Sequence, residues 1–294
     1  MITCVLKGGL GNQLFQIFAI IAYAIRNGNS FIFKYDTYVC IGAKRKLYWD
    51  DFLLSLKNFT TYNPRYNITN EQLDRELPII YLSDHHYQIM PNISPSENIK
   101  FDSYFQSYRY FKEEEEKIFS MIRLESQLQM VKTKYSELFE DCYTISMHFR
   151  LGDYVHLQDY HNVLPFEYYK NSIEYIVSEL QFRINEKRLR ILYFCEENDF
   201  VTVHQTIEKL QHLFPNIEFL NVNSEIEDWQ QLLLMACCNS NIMANSSFSW
   251  WGSYFNRNDE QIVCYPSVWF GPRLSHNILK DMFPTVWGWM KIEF

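Results

Sequence analysis

The sequence predicts an α/β protein whose second half carries a parallel sheet flanked by helices. Three observations point there. After Thr144, β-leaning runs at residues 144–149, 190–195 and 217–222 alternate with helical stripes, the pattern of strand–helix–strand units. Near the N-terminus, a strand at residues 2–6 runs through a glycine turn into an apolar helix at 14–26. The strand at 144–149 ends in His148, Arg150 and Asp153, at the carboxyl end where open α/β sheets bind ligands.

Length and composition frame these elements. A chain of 294 residues makes one large or two medium domains, and 47% hydrophobic with 21% charged residues supplies an ordinary core. The net charge of −8 argues against a nucleic-acid partner, which needs Lys and Arg to displace counterions from phosphates. Any anionic ligand must be held by a few local donors. The seven cysteines, Cys40 among them, show no CxxC spacing. Free thiols in a reducing cytosol are the simplest account, and neither a metal nor another cofactor is expected. Residues 1–6 read as a first strand instead of a signal peptide, and no run reaches the ~18 apolar residues of a membrane span. A cytoplasmic location is expected, with peripheral attachment to a membrane left open.

In chain order, the first element feeds Lys7-Gly8-Gly9-Leu10-Gly11-Asn12-Gln13, and Gly28 ends the helix that follows. Strand, glycine turn and helix start together aim backbone N–H groups at a ligand, although a plain tight connection is the simpler alternative. Neither Gly-x-Gly-x-x-Gly nor Gly-Lys-Ser/Thr is present, so this is no dinucleotide fingerprint and no Walker loop. Residues 30–101 are irregular. Tyr104, Phe105, Tyr108, Tyr110 and Phe111 form an aromatic patch, read as core or as the wall of an acceptor cleft. One helix is expected from 113 to 131, its acidic start favoured by the helix dipole. The polar residues 132–141 place a domain boundary near Glu140, dividing the chain into 1–140 and 141–294.

Beyond Asp153 the pattern is regular. Pro165 begins a helix with Phe166, Tyr169, Ile173, Ile176, Val177 and Leu180 on one stripe. The strand at 190–195 opens into Glu196-Glu197-Asn198-Asp199. Helices follow at 200–213 and 226–238, and short strands at 241–244 and 261–265. Between the last two lies Asn245-Ser246-Ser247-Phe248-Ser249-Trp250-Trp251-Gly252, whose hydroxyls and amides at a helix start act as caps or as anion ligands. Asp228 caps its helix or accepts two N–H donors from a guanine edge.

Together, Gly8-Gly9-Leu10-Gly11-Asn12-Gln13, His148-Phe149-Arg150-Leu151-Gly152-Asp153 and Asn245-Ser246-Ser247-Phe248-Ser249-Trp250-Trp251-Gly252 give a chain that resembles the α1,2-fucosyltransferases of glycosyltransferase family 11. The resemblance implies an α/β, GT-B-like fold of two facing Rossmann-like domains. Residues 1–140 would serve the acceptor and 141–294 would bind GDP-fucose. It also implies inverting, metal-independent transfer of fucose to the 2-hydroxyl of a galactose-terminated glycan. By position, Arg150 should bind the donor diphosphate with His148 beside it, and Asn245, Ser246, Ser247 and Phe248 should line that pocket. Asp228 should read guanine, Asn12 should face the reacting centre, and Gly9, Gly11 and Gln13 belong to the donor loop.

Two positions depart from the family pattern. Leu151 stands where a second arginine is usual, and Cys195-Glu196-Glu197 replaces Ser/Thr-Asp-Asp, so Glu196 enters the donor set with an altered side chain. A metal-free site must offset the charge that builds on the departing β-phosphate with fixed donors, here Arg150 and the Ser246–Ser247 groups. Inversion needs a base for the acceptor proton, for which His148, Asp153 and Asp159 are candidates. Two rival readings are a GT-B transferase for another nucleotide sugar and a silent nucleotide- or glycan-binding protein.

Overall fold

The computed structural model describes every residue except 40, 43, 85, 181–187, 277–280 and 286–287. The chain divides into two compact α/β units. One comprises Met1–Glu125 and takes in residues 281–284; the other holds the remainder from Ser126 onward. The boundary read from the sequence near Glu140 therefore lies within the second unit.

In the first unit, β1 (Ile2–Cys4) leads into α1 (Leu10–Asn27). α1 is buried on nearly every side from Leu10 to Ala24, so it acts as the central beam of the unit. Gly28 ends it in the left-handed conformation at φ +66°, its N–H returning to the Ala24 carbonyl. A two-stranded antiparallel ribbon follows, β2 (Tyr38–Val39) with β3 (Arg45–Lys46). After the short α2 (Asn70–Arg75), β4 (Ile79–Tyr81) and β5 (Ile99–Asp102) complete a parallel sheet in the order β1–β5–β4. Phe15 and Phe18 pack on Phe111 at centroid distances of 6.1 and 5.7 Å. Of the aromatic patch, Phe105, Tyr110 and Phe111 are thus core, while Tyr104 and Tyr108 are partly exposed.

The single helix expected at 113–131 is two, α3 (Glu115–Met121) and α4 (Leu124–Lys134). Arg123, at φ +55°, turns the chain between them. Its neighbours Ile122 and Leu124 are both fully buried, and burial of these two side chains offsets the strain of a left-handed arginine.

The second unit is built on β6 (Cys142–His148), β7 (Arg188–Phe194), β8 (Ile217–Asn221), β9 (Ser240–Ile242), β10 (Val263–Pro266) and β11 (Trp289–Ile292). All are parallel, in the order β11–β10–β9–β6–β7–β8. Counted from β6, this is the Rossmann order, and the direction of winding reverses between β6 and β9. The connecting helices are α5 (Phe166–Leu180), α6 (Phe200–Leu213), α7 (Asp228–Cys237) and α8 (Ser247–Tyr254). Ile145, Met147, Ile191, Tyr168, Ile173 and Ile207 belong to one buried cluster that joins strands to helices. Gly252 lets α8 close on α7: a Cβ there would meet the Met235 Cβ at 2.8 Å.

None of the six described cysteines forms a disulfide, and Cys40 lies outside the described residues. No helix among the described residues is long and apolar enough to cross a membrane.

Candidate active site

The β6 strand is buried over most of its length, and pairing continues one residue further as the Phe149 N–H donates to the Phe194 carbonyl at 2.8 Å. This carries the chain to the carboxyl edge of the sheet with His148 still inside. The His148 ring lies against Phe248, 5.6 Å between centroids. Its Nδ1 is buried and has no hydrogen-bond partner among the described residues. Burial, and then the nearby Arg150 charge, pushes its pKa down to about 3, so the imidazole is neutral.

Two residues on, Arg150 donates from Nη1 to Glu196 Oε1 and from Nη2 to Asp153 Oδ1, the latter at 2.5 Å. The Arg150 side chain is 18% exposed, while both carboxylates are 50% exposed. Burial works against its charge, but Glu196 and Asp153 outweigh that and raise its pKa. The turn between them is shaped by Gly152, at φ +39°, whose N–H donates to Asp199 Oδ2 at 2.8 Å. A Cβ on Gly152 would sit 3.0 Å from Glu196 Oε2, so the glycine leaves room for that carboxylate. Asp153 from the same turn and Glu196 from the end of β7 thus both pair with Arg150.

After β9 comes the serine turn. Ser246 caps α8, its Oγ accepting from the Phe248 N–H at 3.3 Å, and α8 has no acidic side chain in its first turn. Ser246, Ser247 and Phe248 are half-buried, whereas Trp250 and Trp251 are fully buried. The tryptophan pair that set this motif apart in the sequence is packing for α8. Asn245 is 1% exposed and donates from Nδ2 to the carbonyls of Asn162 and Trp269 at 2.8 and 3.0 Å. Its Oδ1 is buried with no hydrogen-bond partner among the described residues.

Asp228 is the first residue of α7 and accepts the N–H of its neighbour Trp229 at 2.7 Å; the N-cap position belongs to Glu227, so Asp228 is not the capping carboxylate. In the first unit, Gly9 is the N-cap of α1 and no side chain caps it. Gly8, at φ +80°, admits no side chain, since a Cβ would lie 2.5 Å from Asn12 Nδ2. Gln13 is fully buried and donates to the carbonyls of Gly8 and Lys46 at 3.0 and 2.8 Å. Gln16 clamps the Lys7 backbone from both sides, at 2.9 and 3.0 Å. Asn12 Oδ1 accepts from Gln106 Nε2 at 2.9 Å, and Gly11 is buried beside it in the first helical turn. Two further cations are already paired: Lys7 with Asp102 at 2.7 Å, and Arg273 with Asp159 at 3.3 Å.

Sequence reasoning missed four participants. The Tyr154 ring lies 5.1 Å from the Arg150 guanidinium carbon, and its hydroxyl donates to the Asn245 carbonyl at 3.3 Å. His161 stacks on Tyr154, Asn162 anchors Asn245, and Asp199 holds Gly152. Tyr154 carried a signal as the residue directly after Asp153, and Asp199 as the last of the acidic run after the 190–195 strand. The loop after β6, which bears Tyr154, His161 and Asn162, passes so close to the loop after β10 that a Cβ on Gly271 would meet the Gln158 carbonyl oxygen at 2.3 Å.

Arg150 and the α8 N-terminus thus stand at the carboxyl ends of β6 and β9, the two strands between which the winding reverses. A six-stranded parallel sheet of this order belongs to the Rossmann-like class of α/β proteins, in which ligands bind at that edge. The chain matches the Glycosyl transferase family 11 description over residues 1–289 and belongs to that family. It is therefore a glycosyltransferase. It is 26% identical over 311 residues to an alpha-1,2-colitosyltransferase of Escherichia coli, covering 98% of this chain and 97% of the relative. It is 23% identical over 306 residues to a galactoside 2-alpha-L-fucosyltransferase of Caenorhabditis elegans, covering 98% and 78%. Among solved structures, POFUT1 in complex with GDP-fucose shares 10% identity at a TM-score of 0.49, covering 89% of this chain and 97% of that one.

Proposed function

We propose that the protein transfers L-fucose from GDP-fucose to the 2-hydroxyl of a galactose-terminated glycan, with inversion and without a divalent metal. The observation that carries this reading is the placement of Arg150 and the Ser246–Phe248 turn at adjacent strand ends, at the point where the sheet reverses. As GDP departs, negative charge grows on the β-phosphate. A guanidinium fork and a helix N-terminus fixed beforehand stabilise that charge without reorganising. Leu151 leaves Arg150 as the one arginine of its motif, so the amides and hydroxyls of Ser246 and Ser247 carry more of the load.

For the acceptor proton, His148 is a poor base near neutral pH, because a pKa of about 3 gives it little affinity for a proton. Asp153, half-exposed and beside Arg150, is the better-placed carboxylate. Asp228 is proposed to read the guanine edge and Asn245 to support the diphosphate pocket, while Glu196 occupies the Arg150 fork until the donor displaces it. Asn12, Gly9, Gly11 and Gln13 keep the roles that the family resemblance implies.

A colitosyl donor is the second reading, favoured by the name of the Escherichia coli relative. Incubating the purified protein with GDP-fucose, a colitosyl donor and UDP-sugars, over a panel of galactosides and with or without EDTA, tests both. Fucosyl transfer with an α1,2 linkage, unchanged by EDTA, is the expected result. Selective use of the colitosyl donor would replace the first reading with the second. Binding of GDP-fucose with no turnover on any galactoside would overturn both.

A further inference from the structure

Two carboxylates hold the ends of the Arg150 fork, but both are half-exposed, and a diphosphate seated on that fork must displace them. The contact of Arg150 that an incoming anion does not compete for is the face of Tyr154, 5.1 Å from its guanidinium carbon. That ring is itself fixed. It stacks on His161, 14° from parallel with centroids 4.6 Å apart, and His161 meets Phe270 at 6.1 Å. Its hydroxyl donates to the carbonyl of Asn245, the residue before the Ser246 cap. Asn245 is tied in turn to Asn162 and Trp269. One side chain therefore touches both anion-binding candidates, the guanidinium after β6 and the turn after β9.

We propose, resting on the reading of Arg150 as a diphosphate ligand, that Tyr154 is a positioning residue that sets the Arg150 fork against the Asn245–Ser247 turn. The ring keeps the guanidinium plane in place when Asp153 and Glu196 yield to the donor, and the hydroxyl fixes the ring relative to the turn. Tyr154 touches no reacting atom, so its effect passes through Arg150.

The test is a double-mutant cycle read by calorimetric binding of GDP to the full chain. Tyr154→Leu removes the platform and is expected to weaken GDP about threefold to thirtyfold, the range of a partly desolvated cation–π contact. In an Arg150→Ala background the same change should cost less than about twofold, because the group it orients is gone. Equal losses in both backgrounds would overturn the proposal. Tyr154→Phe keeps the volume and decides the matter alone if the Leu variant does not fold. It is expected to weaken GDP about threefold to tenfold, the worth of one hydrogen bond, with the acceptor KM unchanged. A Kd indistinguishable from that of the unsubstituted protein would overturn the tie to the turn. Unaltered GDP binding by Arg150→Ala itself would instead remove the diphosphate reading beneath the proposal.

Discussion

Arg150 and Glu196 are hydrogen-bonded side chain to side chain across the ends of the neighbouring parallel strands β6 and β7. Because Glu196 is half-exposed, a pair of this kind contributes only ~0.2–1 kcal/mol. A diphosphate competing for the same nitrogens has to overcome that pairing. Glu196→Gln is therefore expected to tighten GDP binding by up to about fivefold at low salt, read by calorimetry. Weaker binding would mean that Glu196 orients the fork for its ligand instead of opposing it.

Arg150 itself is the test of the phosphate site. Arg150→Ala should lower kcat on the order of 10²–10³, the usual cost of removing one fixed donor. Arg150→Lys should be nearly as damaging, because an ammonium keeps the charge but loses the planar fork. Thermal unfolding of both variants should stay close to that of the unsubstituted protein. A folded Arg150→Ala that retains more than about a tenth of kcat is incompatible with that donor effect.

His148 gives the stability curve a defined acid limb. Its ordinary value of 6.5 falls to about 3 in the fold, so between those pH values the unfolded chain binds a proton that the folded chain refuses. Its contribution is whole above pH 6.5, drains away as pH falls through the window, and declines no further below about 3. His148→Gln, which cannot titrate, should show a shallower fall of Tm with pH across the window. Parallel slopes for the two proteins would place the folded imidazole near its ordinary value.

The aromatic patch separates into two roles. Phe111 is fully buried against Phe15 and Phe18, so Phe111→Ala should cost about 3–5 kcal/mol of stability by denaturant titration. Tyr104 is partly exposed, with Lys7 over its ring at 4.4 Å, and is the member of the patch suited to meet an acceptor. Tyr104→Ala should raise the acceptor KM more than the donor KM while leaving the melting temperature nearly unchanged. The opposite order of KM effects would take acceptor handling away from this unit.

Much of the second unit was legible because its elements follow local rules. The 3.6-residue stripe gave α5, the helix at Phe200–Leu213 agrees at both ends, and the β-leaning runs became β6, β7 and β8. The Gly28 stop of α1 was equally visible, since only a left-handed residue ends that helix there. What was misread depended on distant partners. Nothing local shows that Trp250 and Trp251, just beyond the serine turn, pack into the interior with α8. The break at Arg123 carries no proline or glycine, and it answers to where Ile122 and Leu124 find burial. Of the candidate site, the motifs announced Arg150, Asp153 and the serine turn. The brace of Tyr154, Asn162 and Asn245 spans 91 and 83 residues of sequence in its two hydrogen bonds, beyond any local pattern.

The near-contact at Gly271 ties together two stretches of chain that a sequence editor would treat as separate. With backbone against backbone at residues 158–159, there is no side-chain cushion to absorb an insertion on either side. Additional bonds cross the same seam, from Gly271 N–H to the Tyr160 carbonyl and from Arg273 N–H to the Asp159 carbonyl. Anyone grafting the loop after β6 from another transferase, to alter donor or acceptor choice, would need to transplant the loop after β10 with it. Exchanged as a pair, the two loops form one interchangeable cassette on an otherwise constant sheet.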